Sequence, residues 1–385
     1  MCSEVILALW SFAGLTWWII AWRLVNTDRS RKSAPPDGSA RQTISVFKPL
    51  PLLGGKGLGG FEPGLKSFVA QLDANDDLLL GVHEADRALV APFLKKLRAD
   101  YPGARLRVVY RSAPDEAANP KIAWQRYLAQ HAEGELWLWS DADIVAPADF
   151  LQSARAAFLK SGSKMMTFPY IVRDIPLRPA LLEALFVNVD FYPGVLLLRR
   201  FGPVDFGLGA AMLFRRDDFI RAVDWDEIGS RLADDFFLGQ KLQPVSIGAT
   251  TLTTLPRLAT WGDAFLHDLR WSKTIRWNRP VGFFARILVM PVLGWLMAVA
   301  IHPTHFLGWI GLLGMIQADV LAATAICRET GCRMKSMDIL RLEIWSLWRI
   351  LLWFLSWMPG AVAWSGRTWR SPEAEIDTEI NLTTT

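Results

Sequence analysis

Two acidic pairs and one cationic cluster are the residues in this chain whose types and spacing could do chemistry. The first pair ends an apolar run, Trp137-Leu138-Trp139-Ser140-Asp141-Ala142-Asp143, with two carboxylates one residue apart. Buried carboxylates are costly unless a positive charge pairs with them, and a divalent cation holding a diphosphate is one such partner. A turn that starts the next helix is the other reading of Asp-x-Asp. The second pair, Asp234-Asp235, sits between Ala233 and Phe236. Acids in an apolar run fit a helix start, where they complement the dipole, or a general base. The third cluster is His267, Arg270 and Trp271, followed by Lys273, Arg276, Trp277 and Arg279. Cations interleaved with indoles can hold a pyrophosphate or sit among lipid headgroups.

The elements that must position these groups follow from the hydrophobic pattern. Apolar, β-rich runs occur at Ile44–Phe47, Leu78–Val82, Leu106–Tyr110, Leu136–Trp139 and Met165–Ile171, separated by helix-like stretches near 61–73, 87–100, 121–131 and 149–160. That alternation predicts a doubly wound α/β domain with a parallel sheet. Such sheets bind ligands beyond the carboxyl ends of their strands, which is where Asp141 and Asp143 fall. The glycine-rich run around Lys56 is not a phosphate loop. Position 50 is Leu where the motif's first glycine belongs, and Gly57 follows Lys56 where Ser or Thr is needed. It reads as a mobile loop near the cleft. His83, His131, His302 and His305 form no ligand set and read as structural.

The 385 residues are 51% hydrophobic and 21% charged, with a net charge of +4 and three cysteines. This excludes a disordered chain, a disulfide scaffold and wholesale nucleic-acid binding. A mean hydropathy of +0.20 signals apolar segments beyond one core. Twelve of the 19 tryptophans lie in residues 1–25 or 281–385, and tryptophan favours the membrane–water boundary. Val5–Trp22 is an uncharged run of 18 residues that rises about 27 Å as a helix, nearly the thickness of a hydrocarbon core. The basic residues after it and the lack of a small-residue cleavage site favour an anchor over a signal peptide. Arg23, Arg29, Arg31 and Lys32 place the next domain in the cytoplasm. Ile287–Ile301 and Phe306–Cys327 predict a hairpin turning at His302–His305. Ile344–Trp364, with Arg349 and Pro359 inside it, fits an interfacial helix or a span. The expected division is an anchor at 1–25, a linker at 26–43, the sheet domain at 44–280, membrane helices at 281–370 and a polar tail at 371–385.

Taken in order, the motifs resemble the membrane-bound glycosyltransferases of the ceramide glucosyltransferase type, which include bacterial hopanoid N-acetylglucosaminyltransferases. The matching residues are Val46-Phe47-Lys48-Pro49, Glu84 with Asp86, Asn119-Pro120-Lys121, Asp141-Ala142-Asp143, Asp235, and His267-x-x-Arg270-Trp271. Phe206-Gly207-Leu208-Gly209-Ala210 resembles the family's acceptor-side glycine segment, and Ala363–Arg370 its cytoplasmic closing motif. Three departures stand out: His267 where Gln or Arg is usual, Glu84 where Asp is usual, and the insertion Leu52–Gly59.

The resemblance implies a GT-A-type fold with one N-terminal and two to three C-terminal membrane helices. It implies transfer of a single glucose or N-acetylglucosamine from a UDP-sugar to a ceramide or hopanoid hydroxyl, with inversion, at the cytoplasmic face of a bacterial inner or Golgi-type membrane. Mg2+ or Mn2+ on Asp141 and Asp143 would hold the diphosphate. Lys48, Glu84, Asp86, Lys121 and Asp141 would contact the donor, with Glu84 or Asp86 on the uridine. Asp235 would be the base, Arg270 and Trp271 would complete the catalytic set, and Gly207, Gly209 and His267 would lie on the acceptor side. A processive polysaccharide synthase shares the architecture but needs a channel that three or so membrane segments do not supply. A non-catalytic binding module would turn over no nucleotide sugar, and the long polar middle section, which cannot cross a bilayer, argues against a transporter.

Overall fold

The structure, a computed structural model, describes residues 2–29, 42–55, 57–112 and 117–372. Lys56, most of the expected linker and most of the polar tail lie outside the described residues. The centre of the molecule is a seven-stranded sheet. Strands β1 (Ile44–Pro49), β2 (Asp77–His83), β3 (Arg105–Arg111) and β4 (Leu136–Ser140) run parallel in the order β3-β2-β1-β4. Chain order thus runs outward from β1 to β3 and then returns to the other side of β1, which makes a topological switch point between β1 and β4. Beyond β4 lie Ala211–Arg215, antiparallel to it, then Met165–Thr167 and Val245–Ile247.

Both faces of the sheet are covered, so its inner strands are largely apolar, while the edge strand β3 carries Arg105, Arg107 and Arg111. Side chains alternate faces at period two. Ile44, Val46, Leu78, Leu80, Leu136 and Leu138 fill one core, under the helices Glu62–Val69, Arg87–Asp100 and Phe150–Ser161. Phe47, Leu79, Trp137, Trp139, Met212 and Phe214 fill the other. Trp139 is fully buried there, 5.2 Å from Phe214 and 5.3 Å from Phe219 between ring centres. The two strand tryptophans are therefore core.

Two elements depart from expectation. Met165–Ile171 is not one strand: it breaks at Phe168-Pro169, and Tyr170–Val172 pairs with Leu252–Thr254 in a separate three-stranded sheet. Proline cannot donate to a ladder, which accounts for the break. The helix Ala180–Arg200, with a π-turn at Phe186–Phe191, carries no charge between Asp190 and Arg199, and the sequence reading left it unassigned.

Among the described residues, three helices are long and apolar enough to cross a membrane: Glu4–Arg29, Ala180–Arg200 and Phe306–Thr330. The pair Pro280–Val289 and Pro291–Ile301, bent by 66°, makes a fourth if taken as one span. Helix α1 (Cys2–Arg29) runs past the expected boundary at residue 25. Ser336–Trp357 is helical but too polar in its first half to count among the spans. The helical layers are stitched together by buried charge. Arg349 bonds Asp190 at 2.9 Å and Asp319 at 3.4 Å, while Trp18 Nε1 and Ser346 Oγ donate to Asp319 at 2.8 and 2.9 Å. At the end of α1, Asp28 accepts from the Tyr192 hydroxyl at 2.6 Å and pairs with Arg199.

Candidate active site

A cleft of about 1550 Å³ opens over the carboxyl ends of β1 and β4, at the switch point. This exceeds the roughly 300–1,000 Å³ usual for a single small ligand, so it has room for two. Five places in the chain contribute most of its polar groups.

The first is the turn after β4. Asp141 N donates to Ala210 O at 3.1 Å, and Ile144 N to Asp141 O at 3.2 Å, which holds the turn closed. Lys48 is fully buried beneath it and does not line the cleft. Its Nζ donates to Ser140 Oγ at 3.0 Å, Asp141 O at 2.7 Å and Ile144 O at 3.2 Å. The expected donor contact is thus a strut under the acidic turn. Burial pulls the Lys48 ammonium down to about 7. Burial, and next the charge of Asp141, pushes Asp143 up to about 6.

The second place is the start of the helix Pro120–Ala129. Asn119 caps it, accepting from Lys121 N at 3.0 Å and Ile122 N at 3.3 Å, and Pro120 occupies the first turn. This cap aims Lys121 into the cleft, where Nζ meets Asp141 Oδ1 at 2.8 Å, Gly209 O at 3.1 Å and Asp234 Oδ2 at 3.5 Å. Burial opposes the charge on Lys121, but Asp141 and Asp234 outweigh it and hold the ammonium well above its ordinary value. Lys121 therefore cross-links the two acidic pairs.

The third is the helix Asp234–Lys241 with the glycine segment before it. Asp235 Oδ2 accepts from Gly209 N at 2.9 Å and Oδ1 from Phe236 N at 2.7 Å, while Gly207 N donates to Asp235 O at 2.9 Å. A Cβ at Gly207 would stand 2.7 Å from that carbonyl, and one at Gly209 would stand 3.2 Å from Asp235 Oδ2. Both glycines line the cleft, and what they touch is Asp235. Burial, and after it Asp234, pushes the Asp235 carboxyl up to about 6. The helix-start and base readings of this pair are compatible, because the helix begins on the cleft wall.

The fourth is the helix Trp261–Asn278, opened by a capping box of Thr260 and Asp263. His267, Arg270, Trp271, Thr274 and Asn278 follow helical spacing along the face it turns to the cleft. Arg270 has no hydrogen-bond or ion-pair partner among the described residues, and burial lowers its guanidinium to about 10. Burial also lowers His267 below the ordinary imidazole value. Its ring centre lies 4.6 Å from that of Trp271.

The fifth is the helix Ala180–Arg200, which contributes Glu183, Phe186, Asp190, Gly194 and Leu198. Arg257, which stacks 3.7 Å over Phe61, adds a second cation near Asp143. The hairpin of Val362–Trp364 and Arg367–Trp369 closes one rim, with Leu232 N donating to Pro372 O at 3.0 Å beside it.

Asp141, Asp143, Lys121, Asp235, Gly207, Gly209, His267, Arg270 and Trp271 are thus brought into one cleft. Glu84 and Asp86 are not. Glu84 is exposed and paired with Arg87 at 2.7 Å, and Asp86 is buried, accepting from Leu53 N at 2.7 Å. Asp86 thereby anchors the glycine-rich insertion. Its neighbour His83 lines the cleft instead, as do Pro49, Leu50 and Leu52. Arg257, Glu183 and Asp190 went unnoticed in the sequence. Glu183 had a usable signal, an acid inside the apolar run Ala180–Val189, of the same kind that marked Asp234-Asp235.

The model of glycosyl transferase family 21 matches residues 5–375. The chain belongs to this family. The match covers the ceramide glucosyltransferase-like resemblance seen in the motifs and extends it to nearly the whole chain. No curated protein matches the chain by sequence. Among solved structures, a mannosyltransferase from Pyrobaculum calidifontis, in complex with GDP-Man and Mn2+, superposes with a TM-score of 0.50 at 14% identity, covering 92% of this chain and 96% of that one. TarS 1–349 from S. aureus, in complex with UDP-GlcNAc, gives 0.39 at 11% identity over 86% and 97%. The first likeness supports a glycosyltransferase fold for this family 21 chain.

Proposed function

We propose that this glycosyltransferase moves one sugar, glucose or N-acetylglucosamine, from a UDP-sugar to the hydroxyl of a membrane lipid of the ceramide or hopanoid kind, with inversion. The fold is read as GT-A-type, with residues 44–280 as its cytoplasmic domain and the flanking helices in the bilayer. The observation that carries the reading is a single cleft with two kinds of lining. Asp141, Asp143, Asp235 and Arg270, the last unpaired among the described residues, share it with the apolar Phe186, Leu198 and Phe283, beside helices long enough to cross a membrane.

Among the described residues no group of three or more His, Cys, Asp or Glu could hold a metal by itself. Two hard carboxylates one residue apart nonetheless fit a Mg2+ or Mn2+ whose other ligands are phosphate oxygens and water, the usual arrangement for a small divalent ion at a nucleotide. When bound, such an ion neutralises charge on the leaving diphosphate. Lys121 keeps Asp141 oriented, and Arg270 supplies a fixed positive charge to the diphosphate, free of any direct ion pair among the described residues. The nucleoside is placed against Pro49–Leu52 and His83. Asp235, held by two backbone N–H groups, takes the proton from the attacking hydroxyl.

The test is to incubate the purified full chain in liposomes with Mn2+ and labelled UDP-glucose, UDP-N-acetylglucosamine or GDP-mannose, and to identify labelled lipid by mass spectrometry. A lipid carrying a single sugar from a UDP donor is expected. A polymeric product, or transfer from GDP-mannose alone, overturns the reading.

A further inference from the structure

Glu183 is a carboxyl that the fold buries without a partner. It is 8% exposed, lines the cleft, and has no hydrogen bond or ion pair among the described residues. Its neighbours along the helix, Leu181, Ala184 and Leu185, are buried and apolar. The charges acting on it are Asp143 and Asp268, of its own sign, and Arg270, which lies beyond contact distance. Keeping a polar side chain in such a place is costly unless something completes its hydrogen bonds.

The position of Glu183 along the cleft says what that something is. On the helix Ala180–Arg200 the cleft-facing stripe runs Glu183, Phe186, Asp190, Gly194, Leu198. Asp190 is taken up by Arg349 and Arg286, at 2.9 and 3.5 Å, and so belongs to the membrane-helix end. Glu183 is at the opposite end, towards Asp143 and Arg270. Between the two, the Phe186 and Trp271 rings meet edge-on at 5.3 Å. A ligand lying along this stripe is apolar beside Phe186 and Leu198 and meets its last polar contact at Glu183.

We propose that Glu183 is a specificity-determining residue for the acceptor: it binds a hydrogen-bond donor of the lipid head, a hydroxyl or amide N–H, next to the hydroxyl that attacks the sugar. The assignment rests on the lipid-glycosylating reading above. It selects amphiphiles with a second head-group donor over those with one hydroxyl alone. The rejection is large in such a site because an acceptor lacking the donor leaves the buried carboxyl unpaired.

The experiment compares C6-ceramide, which has an amide N–H and two hydroxyls, with 1,2-dioctanoylglycerol, which has one hydroxyl. The full chain, Glu183→Gln and Glu183→Leu are assayed in detergent, with UDP–Mn2+ binding measured in parallel. The unaltered enzyme is expected to prefer the ceramide. Glu183→Leu should reduce the ratio of kcat/KM values by about tenfold or more through the ceramide KM, with UDP binding unchanged. Glu183→Gln, which keeps a hydrogen-bonding group, should stay within about threefold of the unaltered ratio. If Glu183→Leu does not accumulate, Glu183→Asp, one methylene shorter, must lose selectivity in its place. An unchanged ratio in the variant, or lost UDP binding in a folded one, overturns the proposal. An unaltered enzyme that binds UDP but uses neither amphiphile overturns the acceptor role alone. One that binds no UDP overturns the proposed function and takes Glu183's role with it.

Discussion

Asp235 is fixed before any substrate arrives, since both carboxylate oxygens already accept backbone N–H groups at 2.7 and 2.9 Å. A base held this way loses little entropy on meeting its proton, and general-base help of this kind contributes about 10²–10⁴-fold. Asp235→Asn preserves the shape and removes the basicity. We expect kcat to fall by about that range while UDP binding by calorimetry is retained; lost binding with turnover kept would remove Asp235 from the role. The raised affinity for protons also sets a pH limit. Burial and Asp234 push the carboxyl up to about 6, and in the proposed role only the deprotonated form takes the acceptor hydroxyl's proton. Activity is therefore full above that value and falls as pH drops through it. The kcat/KM profile, which reports the free enzyme, should show an acid limb near pH 6 steeper than one proton, because Asp143 is pushed to about 6 as well, and the Asn variant should keep only a one-proton limb.

At the scale of elements, the glycine segment 206–210 behaves as a mould for Asp235. Gly209→Ala would bring a methyl group 3.2 Å from Asp235 Oδ2 and 3.5 Å from Lys121 Nζ, close enough to displace the carboxylate by a few tenths of an ångström. The expected result is a drop in kcat of about tenfold with the melting temperature nearly unchanged, because the nearest atoms belong to side chains that can yield. Gly207→Ala meets backbone at 2.7 Å and should lower the melting temperature as well. This mould was only half legible in the sequence. The glycines were visible as a family-like segment, but their contact with Asp235 depends on a long-range pairing, Gly207 N to Asp235 O, that no local pattern encodes. Strands β1 to β4 were legible because each is an apolar run bounded by turn residues. The strand Ala211–Arg215, the one strand of this sheet that runs against the other six, was missed. The run Ala211-Met212-Leu213-Phe214 is too short to tell strand from buried helix. Lys48 and Asp86 were noticed for their charge and assigned to substrate, whereas burial gave them the work of holding the Asp141 turn and the insertion in place.

At the scale of the whole molecule, the cleft and the apolar helices share one buried charge network, so those helices and the cleft wall cannot shift independently. Arg349 sits between Asp190, on the cleft-lining helix, and Asp319, on Phe306–Thr330, with the Trp345 and Trp18 rings 4.7 and 5.2 Å from its guanidinium carbon. Removing one partner from a buried ion pair typically costs about 3–5 kcal/mol, because the charge left behind is uncompensated. Arg349→Met strands two acids, although Asp190 retains Arg286 at 3.5 Å. Asp319→Asn leaves Arg349 its 2.9 Å bond to Asp190 and should cost less. The ordering expected in detergent melts is therefore unaltered above Asp319→Asn above Arg349→Met, with Arg349→Met/Asp319→Asn recovering part of the loss because the stranded charge is gone. Activity should follow a different order. Only variants that release Asp190 move the cleft wall, so Arg349→Met and the double variant should both raise the acceptor KM, while Asp319→Asn leaves it close to the unaltered value. If acceptor KM tracks melting temperature across all three instead, the network is a support for the helix bundle alone, and the coupling to the cleft is refuted.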